Sequence, residues 1–179
     1  MMYTEPELFH ALMKKITETN LLYLHEQARA GAQALQIFDS WAGILAPADF
    51  AEFALPYVKE TVSSLKKHHI PIIYFANNGA TLIDLSKTSG ADVLGLDWRI
   101  NIADAIKKAD KMAVQGNLDP AALLLPDHKL KQRIARLLDD AKTACGHIFN
   151  LGHGIHQFTP PEKAKFAVET VHELSSKTS

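Results

Sequence analysis

The chain has 179 residues, of which 47% are hydrophobic and 22% are charged, and its formal net charge is −1 at pH 7. This length and composition exclude a fibrous or disordered chain and predict a single globular domain over residues 1–179. A charge so close to zero gives no electrostatic reason to expect nucleic acid or an anionic membrane as a partner, and we expect neither.

The first part of the chain predicts a helix, a buried strand and a second helix. Apolar residues recur at roughly helical spacing in the first segment, which ends at Gly31. "ALQIF", residues 34–38, is a short continuous apolar run of the kind that forms a strand buried on both faces. The second helix opens near Pro47 and continues to Leu65 with its apolar residues along one face.

The same cycle of strand and helix recurs to the end of the chain. Four further strands, with the polar loops that close them, are predicted in "IPIIYFANNGA", "ADVLGLDW", "MAVQGNLDP" and "HIFNLGHG". The helices between them are predicted in "TLIDLSKT", in "IADAIKKA" and after Pro126. Thr159 and Glu162 fit a capping box at the start of the last helix, with prolines in its first positions.

This alternation implies right-handed crossovers and a parallel sheet covered by helices. Two architectures fit the order, an open doubly wound sheet and part of a (β/α)8 barrel. None of the loops fits the glycine-rich phosphate-binding patterns of nucleotide-binding sheets. All five strand ends carry polar residues, as the active-site face of a barrel does, although an ordinary barrel has eight strands and about 250 residues. The strand ends therefore favour part of a barrel.

Three features bear on the cellular compartment. The single cysteine, Cys145, excludes an internal disulfide framework and fits a reducing environment. No apolar run approaches the roughly 18 residues of a membrane span. The first residues, "MMYTEPELFH", match neither a signal peptide nor a transit segment. We therefore expect a cytoplasmic location.

Five motifs in the chain resemble those of the uroporphyrinogen decarboxylase family, in the same order and with similar spacing. They are "FDSWAG" (38–43), "FALPY" (53–57), "GLDW" (95–98), "QGNLDP" (115–120) and "NLGHG" (150–154). The likeness covers nearly the whole chain, and so many ordered motifs are unlikely to coincide by accident.

The resemblance implies a (β/α)8 barrel that is commonly dimeric and cytoplasmic, and that uses neither a metal nor an organic cofactor. It implies an enzyme that removes carbon dioxide from the acetate side chains of uroporphyrinogen III and so forms coproporphyrinogen III, on the route to haem. Members of the family are longer than this chain, and their N-terminal segments with substrate-binding arginines and an aspartate have no counterpart here. The chain therefore resembles the C-terminal half, with about five βα units that correspond to strands four to eight.

The resemblance assigns substrate binding to Ser40, which follows the first predicted strand. The alternative is a turn or helix-cap serine whose hydroxyl bonds to a nearby backbone N–H. Asp39 should point to the opposite side of the strand, and either a structural hydrogen bond or a ligand contact fits it.

The second substrate-binding residue assigned by resemblance is His153, as a group that binds and orients the tetrapyrrole. Glycines on both sides would let the backbone approach a large flat ligand and adopt a positive φ if required. A metal ligand and a plain turn histidine are the alternatives, and the lack of an HxxxH or HExxH spacing argues against metal. Asn117 and Asp97 are predicted to be scaffolding that satisfies loop backbone groups.

The sequence identifies no catalytic residue. Decarboxylating a pyrrole acetate requires a proton donor and cationic clamps for the remaining carboxylates, and arginine suits the clamps best. Only one of the four arginines, Arg99, lies near a predicted strand end. We therefore expect the chain to be inactive without the missing N-terminal half.

Two other functions fit less well. A methyltransferase of the related cobalamin and methionine-synthase-like family would hold zinc through His and Cys ligands, for which one cysteine is too few. A partial barrel that binds porphyrinogen without catalysis is the other alternative. Five parallel strands would leave exposed sheet edges, so we also expect a homodimer or self-association through them.

Overall fold

The computed structural model describes residues 1–176. The chain forms two compact units, the first from Met1 to Leu94 and the second from Gly95 onward. The single domain over residues 1–179 stays a prediction.

Seven α-helices and five strands form along the described residues, and apart from the adjacent α2 and α3 they alternate in the order that the sequence predicts. The helices are α1 (Pro6–Arg29), α2 (Pro47–Phe53), α3 (Leu55–Leu65), α4 (Ile83–Ser86), α5 (Ile102–Ala109), α6 (Asp127–Asp140) and α7 (Pro161–Ser175). The strands are β1 (Leu35–Asp39), β2 (Ile72–Ala76), β3 (Val93–Gly95), β4 (Ala113–Gln115) and β5 (His147–Ile148). No helix within this part of the chain is long and apolar enough to cross a lipid bilayer.

The strands are hydrogen-bonded in their sequence order, β1-β2-β3-β4-β5. In the first unit β1 pairs in parallel with β2, in a register that runs from Leu35 opposite Ile72 to Asp39 opposite Ala76. In the second unit β4 pairs in parallel with β5, with Val114 opposite His147. The sequence order and the parallel pairings confirm the parallel α/β arrangement predicted from the alternation of strands and helices.

The core of the first unit lies around β2. All five residues of this strand are buried, as the continuous apolar run predicts for a strand covered on both faces. Helix α3 contributes Val62 and Leu65 to this core, and Phe50 of α2 is fully buried. Helix α1 packs on α3, where His10 Nδ1 lies 2.7 Å from the hydroxyl of Tyr57.

The core of the second unit lies between its strands and α6. Leu130 and Ile134 of α6 are fully buried, as are Val114 of β4 and Ala105 of α5. These positions follow the helical spacing visible in the sequence, which places one face of α6 against the sheet. Helix α6 also packs against α7.

Three elements differ from their predictions. The predicted helix over 47–65 is two helices, because Ala54 leaves the helical conformation two residues before Pro56, which lacks an amide hydrogen and occupies the first turn of α3. The predicted fifth strand is regular only over His147–Ile148. The predicted capping box is wrong: the residue that caps α7 is Pro160, and the buried hydroxyl of Thr159 has no hydrogen-bond partner within residues 1–176.

Candidate functional site

In the first unit the end of β1 is held by hydrogen bonds from its neighbours. Asp39 Oδ1 accepts a hydrogen bond of 3.0 Å from Ala42 N, and the Tyr74 hydroxyl donates one of 3.2 Å to Asp39 Oδ2. Asp39 therefore anchors the loop after the strand. These contacts are structural hydrogen bonds, one of the two roles that the sequence left open for Asp39.

Burial of Tyr74 and the nearby Asp39 carboxylate set the electrostatics of this strand end. Burial, followed by the negative charge of Asp39, raises the pKa of Tyr74 far above its ordinary value. Tyr74 therefore stays neutral and remains a hydrogen-bond donor throughout the physiological range. The apolar run around Tyr74 predicts a core position, and a tyrosine in a fully buried strand also requires a partner for its hydroxyl.

Ser40 lies at the start of the loop that follows β1. Its carbonyl accepts a hydrogen bond of 3.2 Å from Asn77 Nδ2 at the end of β2. Its hydroxyl makes no hydrogen bond to any residue from 1 to 176. The bond to a nearby backbone N–H that a turn or helix-cap serine would make is therefore not formed among these residues. Gly43 closes the same loop, because a Cβ there would overlap the carbonyl oxygens of Asn77 and Asn78. Gly43 belongs to the motif "FDSWAG", but the motif does not indicate that the backbone of Asn77 and Asn78 lies so close to this glycine.

In the second unit the segment after β3 is fixed by Asp97 and Asn117. Asp97 is buried, and its Oδ1 accepts a hydrogen bond of 2.7 Å from Arg99 N. Asn117 Nδ2 donates bonds of 2.8 Å to the carbonyls of Asp97 and Ile100. These contacts confirm that both side chains satisfy loop backbone groups, as the sequence predicts.

The surroundings of His153 are aromatic. The ring of His153 lies edge-to-face with Trp98, at 6.3 Å between centroids, and the guanidinium of Arg99 lies 4.0 Å from the centroid of the same indole. Histidine and indole together offer a ligand a flat apolar surface beside a group that can donate or accept a hydrogen bond.

The two glycines around His153 have different surroundings. Neither Gly152 nor Gly154 has a positive φ. A Cβ on Gly152 would overlap Trp98 N and lie 3.1 Å from Trp98 Cβ, so this glycine permits close packing of the chain on itself. A Cβ on Gly154 would meet nothing within 4 Å.

His147 at the start of β5 is a further titratable group in this unit. Its Nε2 donates a hydrogen bond of 2.7 Å to the Gly116 carbonyl. Burial lowers the pKa of His147, and the bond to Gly116 offsets this only in part.

The two predicted substrate-binding residues belong to different units, Ser40 to the first and His153 to the second. Their role in substrate binding therefore stays a prediction. Within residues 1–176, no three His, Cys, Asp or Glu side chains are grouped so that they could hold a metal ion.

Comparison with known proteins identifies the family to which this chain is similar. A family model described as uroporphyrinogen decarboxylase (URO-D) matches residues 1–174. The uroporphyrinogen decarboxylase of Desulfotalea psychrophila is 67% identical over 177 residues, which are 99% of this chain and 52% of that protein. Those of Geotalea uraniireducens and a Geobacter species are 48% and 47% identical, again over 99% of this chain and 52% of each relative. The chain thus spans about half the length of these relatives, and it matches their C-terminal half.

A solved structure, that of a methyltransferase from Methanosarcina mazei, resembles this chain with a TM-score of 0.78. The sequences are 19% identical, and the likeness covers 89% of this chain and 47% of the other. At this identity the likeness bears on the fold alone. With the parallel sheet and the family match, it confirms the predicted fold class of about five βα units of the (β/α)8-barrel family.

Proposed function

The chain belongs to the uroporphyrinogen decarboxylase family, and from this premise we propose that it is the C-terminal part of a carboxy-lyase that decarboxylates the acetate side chains of uroporphyrinogen III. The product of the complete enzyme is coproporphyrinogen III. The observation that carries the proposal is the 67% identity to a named uroporphyrinogen decarboxylase over 99% of the chain. We further propose a cytoplasmic location, in keeping with a reducing environment for Cys145.

The chemistry of the reaction defines what the protein has to supply. Protonation of a pyrrole ring carbon makes the ring an electron sink, and the electrons of the breaking carbon–carbon bond then flow into it as carbon dioxide leaves. A second proton then replaces the lost carboxylate on the side chain, and the ring carbon releases the first proton, which restores the aromatic pyrrole. The protein has to deliver protons and hold the remaining carboxylates while the substrate stays oriented.

This chain supplies orienting groups for that reaction. The Ser40 hydroxyl has no partner within residues 1–176 and is available to donate to a carboxylate or accept from a pyrrole N–H. The His153 imidazole and the adjoining indole of Trp98 would contact the face or edge of a macrocycle. The side chains of Asp39 and Asn117 already bond within the protein, so they act through the loops they anchor.

The proposal is tested with a full-length chimera. The N-terminal part of the Desulfotalea psychrophila relative, up to the point where the match begins, is fused to this chain, and coproporphyrinogen formation is measured. We expect the chimera to turn over uroporphyrinogen III and the isolated chain to have no activity. A folded chimera that lacks activity, or full activity of the isolated chain, would contradict the proposal.

The roles of Ser40 and His153 are tested in the same chimera. Ser40→Ala and His153→Gln should each lower kcat/KM by roughly tenfold to a hundredfold, the usual cost of losing a hydrogen bond to a charged or polarised group. Ser63→Ala and His128→Gln change exposed residues of the same types and serve as matched controls. Equal activity of all four variants would remove both residues from the substrate site.

No observation favours the methyltransferase alternative. The similar methyltransferase structure is 19% identical to this chain, which carries no information on chemistry. The family match, by contrast, extends over residues 1–174.

A further inference from the structure

The second unit carries an open groove of about 690 Å³ to which the proposed decarboxylase function gives no role. One wall is the side of α6, and the other is the segment from Trp98 to Ile102 together with the loop after β4. Neither Ser40 nor His153 lines it. The groove therefore shares only Trp98 with the substrate site proposed above.

The wall formed by α6 is cationic. Lys129, Arg133 and Arg136 follow one another at helical spacing, so their side chains lie along one stripe that faces the groove. Arg136 Nε lies 3.8 Å from the carboxylate of Asp140. The side chains of Lys129 and Arg133 make no ion pair or hydrogen bond with any residue from 1 to 176. Two positive charges are thus available to a ligand.

The opposite wall is held rigid by hydrogen bonds within the protein. Asn117 Nδ2 binds the carbonyls of Asp97 and Ile100, which fixes the segment between them. Asn101 Oδ1 accepts a bond of 2.9 Å from Ala103 N and so caps α5. Because these groups are already ordered, a ligand in the groove would not have to order them on binding.

The remaining lining mixes polar and apolar side chains, with one further acid. Leu125 and the half-buried indole of Trp98 offer apolar surface, whereas Ile102 and Leu118 are almost fully buried. Asp119 also lines the groove, but its Oδ1 accepts a hydrogen bond from Ala121 N. The lining therefore combines two cations that have no ion-pair partner among residues 1–176 with an apolar patch at Leu125 and Trp98, which suits a ligand that has both anionic groups and an apolar body.

We propose that this groove binds a small organic polyanion. Its carboxylate or phosphate groups pair with Lys129 and Arg133, and its apolar body lies against Leu125 and the Trp98 indole. The planar guanidinium of Arg133 binds such a group through two parallel hydrogen bonds, and the Lys129 ammonium adds a point charge one helical turn away.

Binding is followed through Trp98. The chain has two tryptophans, and Trp41→Phe leaves Trp98 as the sole indole. This protein is titrated separately with benzene-1,3,5-tricarboxylate, pyrophosphate and inorganic phosphate while the indole fluorescence is recorded. We expect saturable binding of the tricarboxylate or pyrophosphate. Inorganic phosphate should bind more weakly because it lacks both the apolar body and the reach to span two cations.

Charge-matched variants decide whether the groove is the site. Arg133→Gln and Lys129→Gln should each weaken binding about tenfold, the effect of losing one charge-assisted contact. Lys107→Gln removes one positive charge from the exposed side of α5, outside the groove, and should leave the affinity unchanged. All three residues are exposed, so thermal unfolding should show folded variants.

The outcomes of the titrations distinguish a carboxylate ligand from a phosphate ligand. Binding of the tricarboxylate alone assigns a carboxylate ligand, binding of pyrophosphate alone assigns a phosphate ligand, and both support the proposal. Absence of saturable binding by either, or equal weakening by Lys107→Gln and Arg133→Gln, would overturn it. The readout is binding, so it is independent of whether the chain takes part in decarboxylation.

Discussion

At the scale of single residues, Gly152 and Gly154 flank the same histidine but have opposite surroundings. Gly152 is buried against the backbone of Trp98, whereas a side chain on Gly154 would project into open space. The close approach at Gly152 holds the chain around His153 against the segment that follows β3. Its role is thus packing within the second unit, which the sequence pattern alone does not distinguish from space for a ligand.

This contrast gives a matched pair of substitutions. Gly152→Ala should destabilise the protein by about 1–3 kcal/mol, because the new Cβ overlaps backbone that has to move. Gly154→Ala should be neutral or stabilise the protein by up to about 1 kcal/mol, because it restricts the unfolded chain without a clash. Urea unfolding midpoints measure both. Equal midpoints for the two variants would contradict the close approach.

A second residue-scale expectation concerns pH and His147. Burial lowers the pKa of His147 in the folded protein below its unfolded value of about 6.5. The unfolded chain therefore binds more protons on acidification, so stability is fully present above pH 6.5 and is lost as the pH falls toward and through the folded pKa.

The measurement compares unfolding free energy at pH 8 and pH 5. His147→Gln keeps a donor for the Gly116 carbonyl without a titrating ring, so its loss of stability between these pH values should be smaller than that of the unmodified protein. His128→Gln alters an exposed histidine and should behave like the unmodified protein. A pH dependence that is the same in all three proteins would exclude His147 as a contributor.

At the scale of elements, the starts of α5 and α7 show which capping patterns hold. Asn101 accepts a hydrogen bond from Ala103 N and caps α5, although no capping prediction singled it out. Thr159, which was predicted to cap α7, leaves its hydroxyl buried and unpartnered within the described residues. Capping depends on where the preceding loop places the side chain, and here Pro160 occupies the N-cap position while Pro161 is the first residue of α7.

Asn101 and Thr159 should therefore respond differently to substitution. Asn101→Ala should lower the free energy of unfolding by about 1 kcal/mol, within the usual range for loss of an N-cap. Thr159→Val keeps the shape of the side chain and removes a hydroxyl without a partner, so it should be neutral or stabilising. Thermal unfolding followed by circular dichroism measures both. A large loss of thermal stability with Thr159→Val would show that the Thr159 hydroxyl has a structural partner.

At the scale of the whole molecule, exposed apolar residues in the second unit favour self-association. Ile148 of β5 is 44% exposed and Val168 of α7 is 54% exposed. β5 is the last strand in the hydrogen-bonded order, and a terminal strand offers free backbone groups to another chain. We propose that the isolated chain associates through this edge.

Light scattering tests this expectation. The chain should be dimeric or larger at micromolar concentration, and the double variant Ile148→Lys, Val168→Lys should shift it toward the monomer, because charged residues on an edge oppose strand pairing. Leu22→Lys changes a 71% exposed residue of α1 and serves as the control. A monodisperse monomer of the unmodified chain, or dissociation by Leu22→Lys alone, would contradict association through β5.

Much of the fold could be predicted because its signals are local. The apolar runs located all five strands, and the periodic residues of α6 located its buried face at Leu130 and Ile134. The break at Ala54 was missed because the apolar stripe continues across it, although Pro56 was a visible signal. Of the candidate sites, the scaffolding roles of Asp97 and Asn117 were predicted correctly, whereas the hydrogen bond from Tyr74 to Asp39 was not foreseen.

The sequence by itself determined the order of strands and helices, the family and the polar character of every strand end, because these depend on residue type and short-range spacing. Only the tertiary structure decided that Gly152 packs on Trp98, that Asn117 holds the segment after β3 and that α6 presents to a groove two cations without ion-pair partners among the described residues. Those features depend on contacts between residues far apart in the chain. Close packing fixes such contacts to fractions of an ångström, and local composition does not encode them.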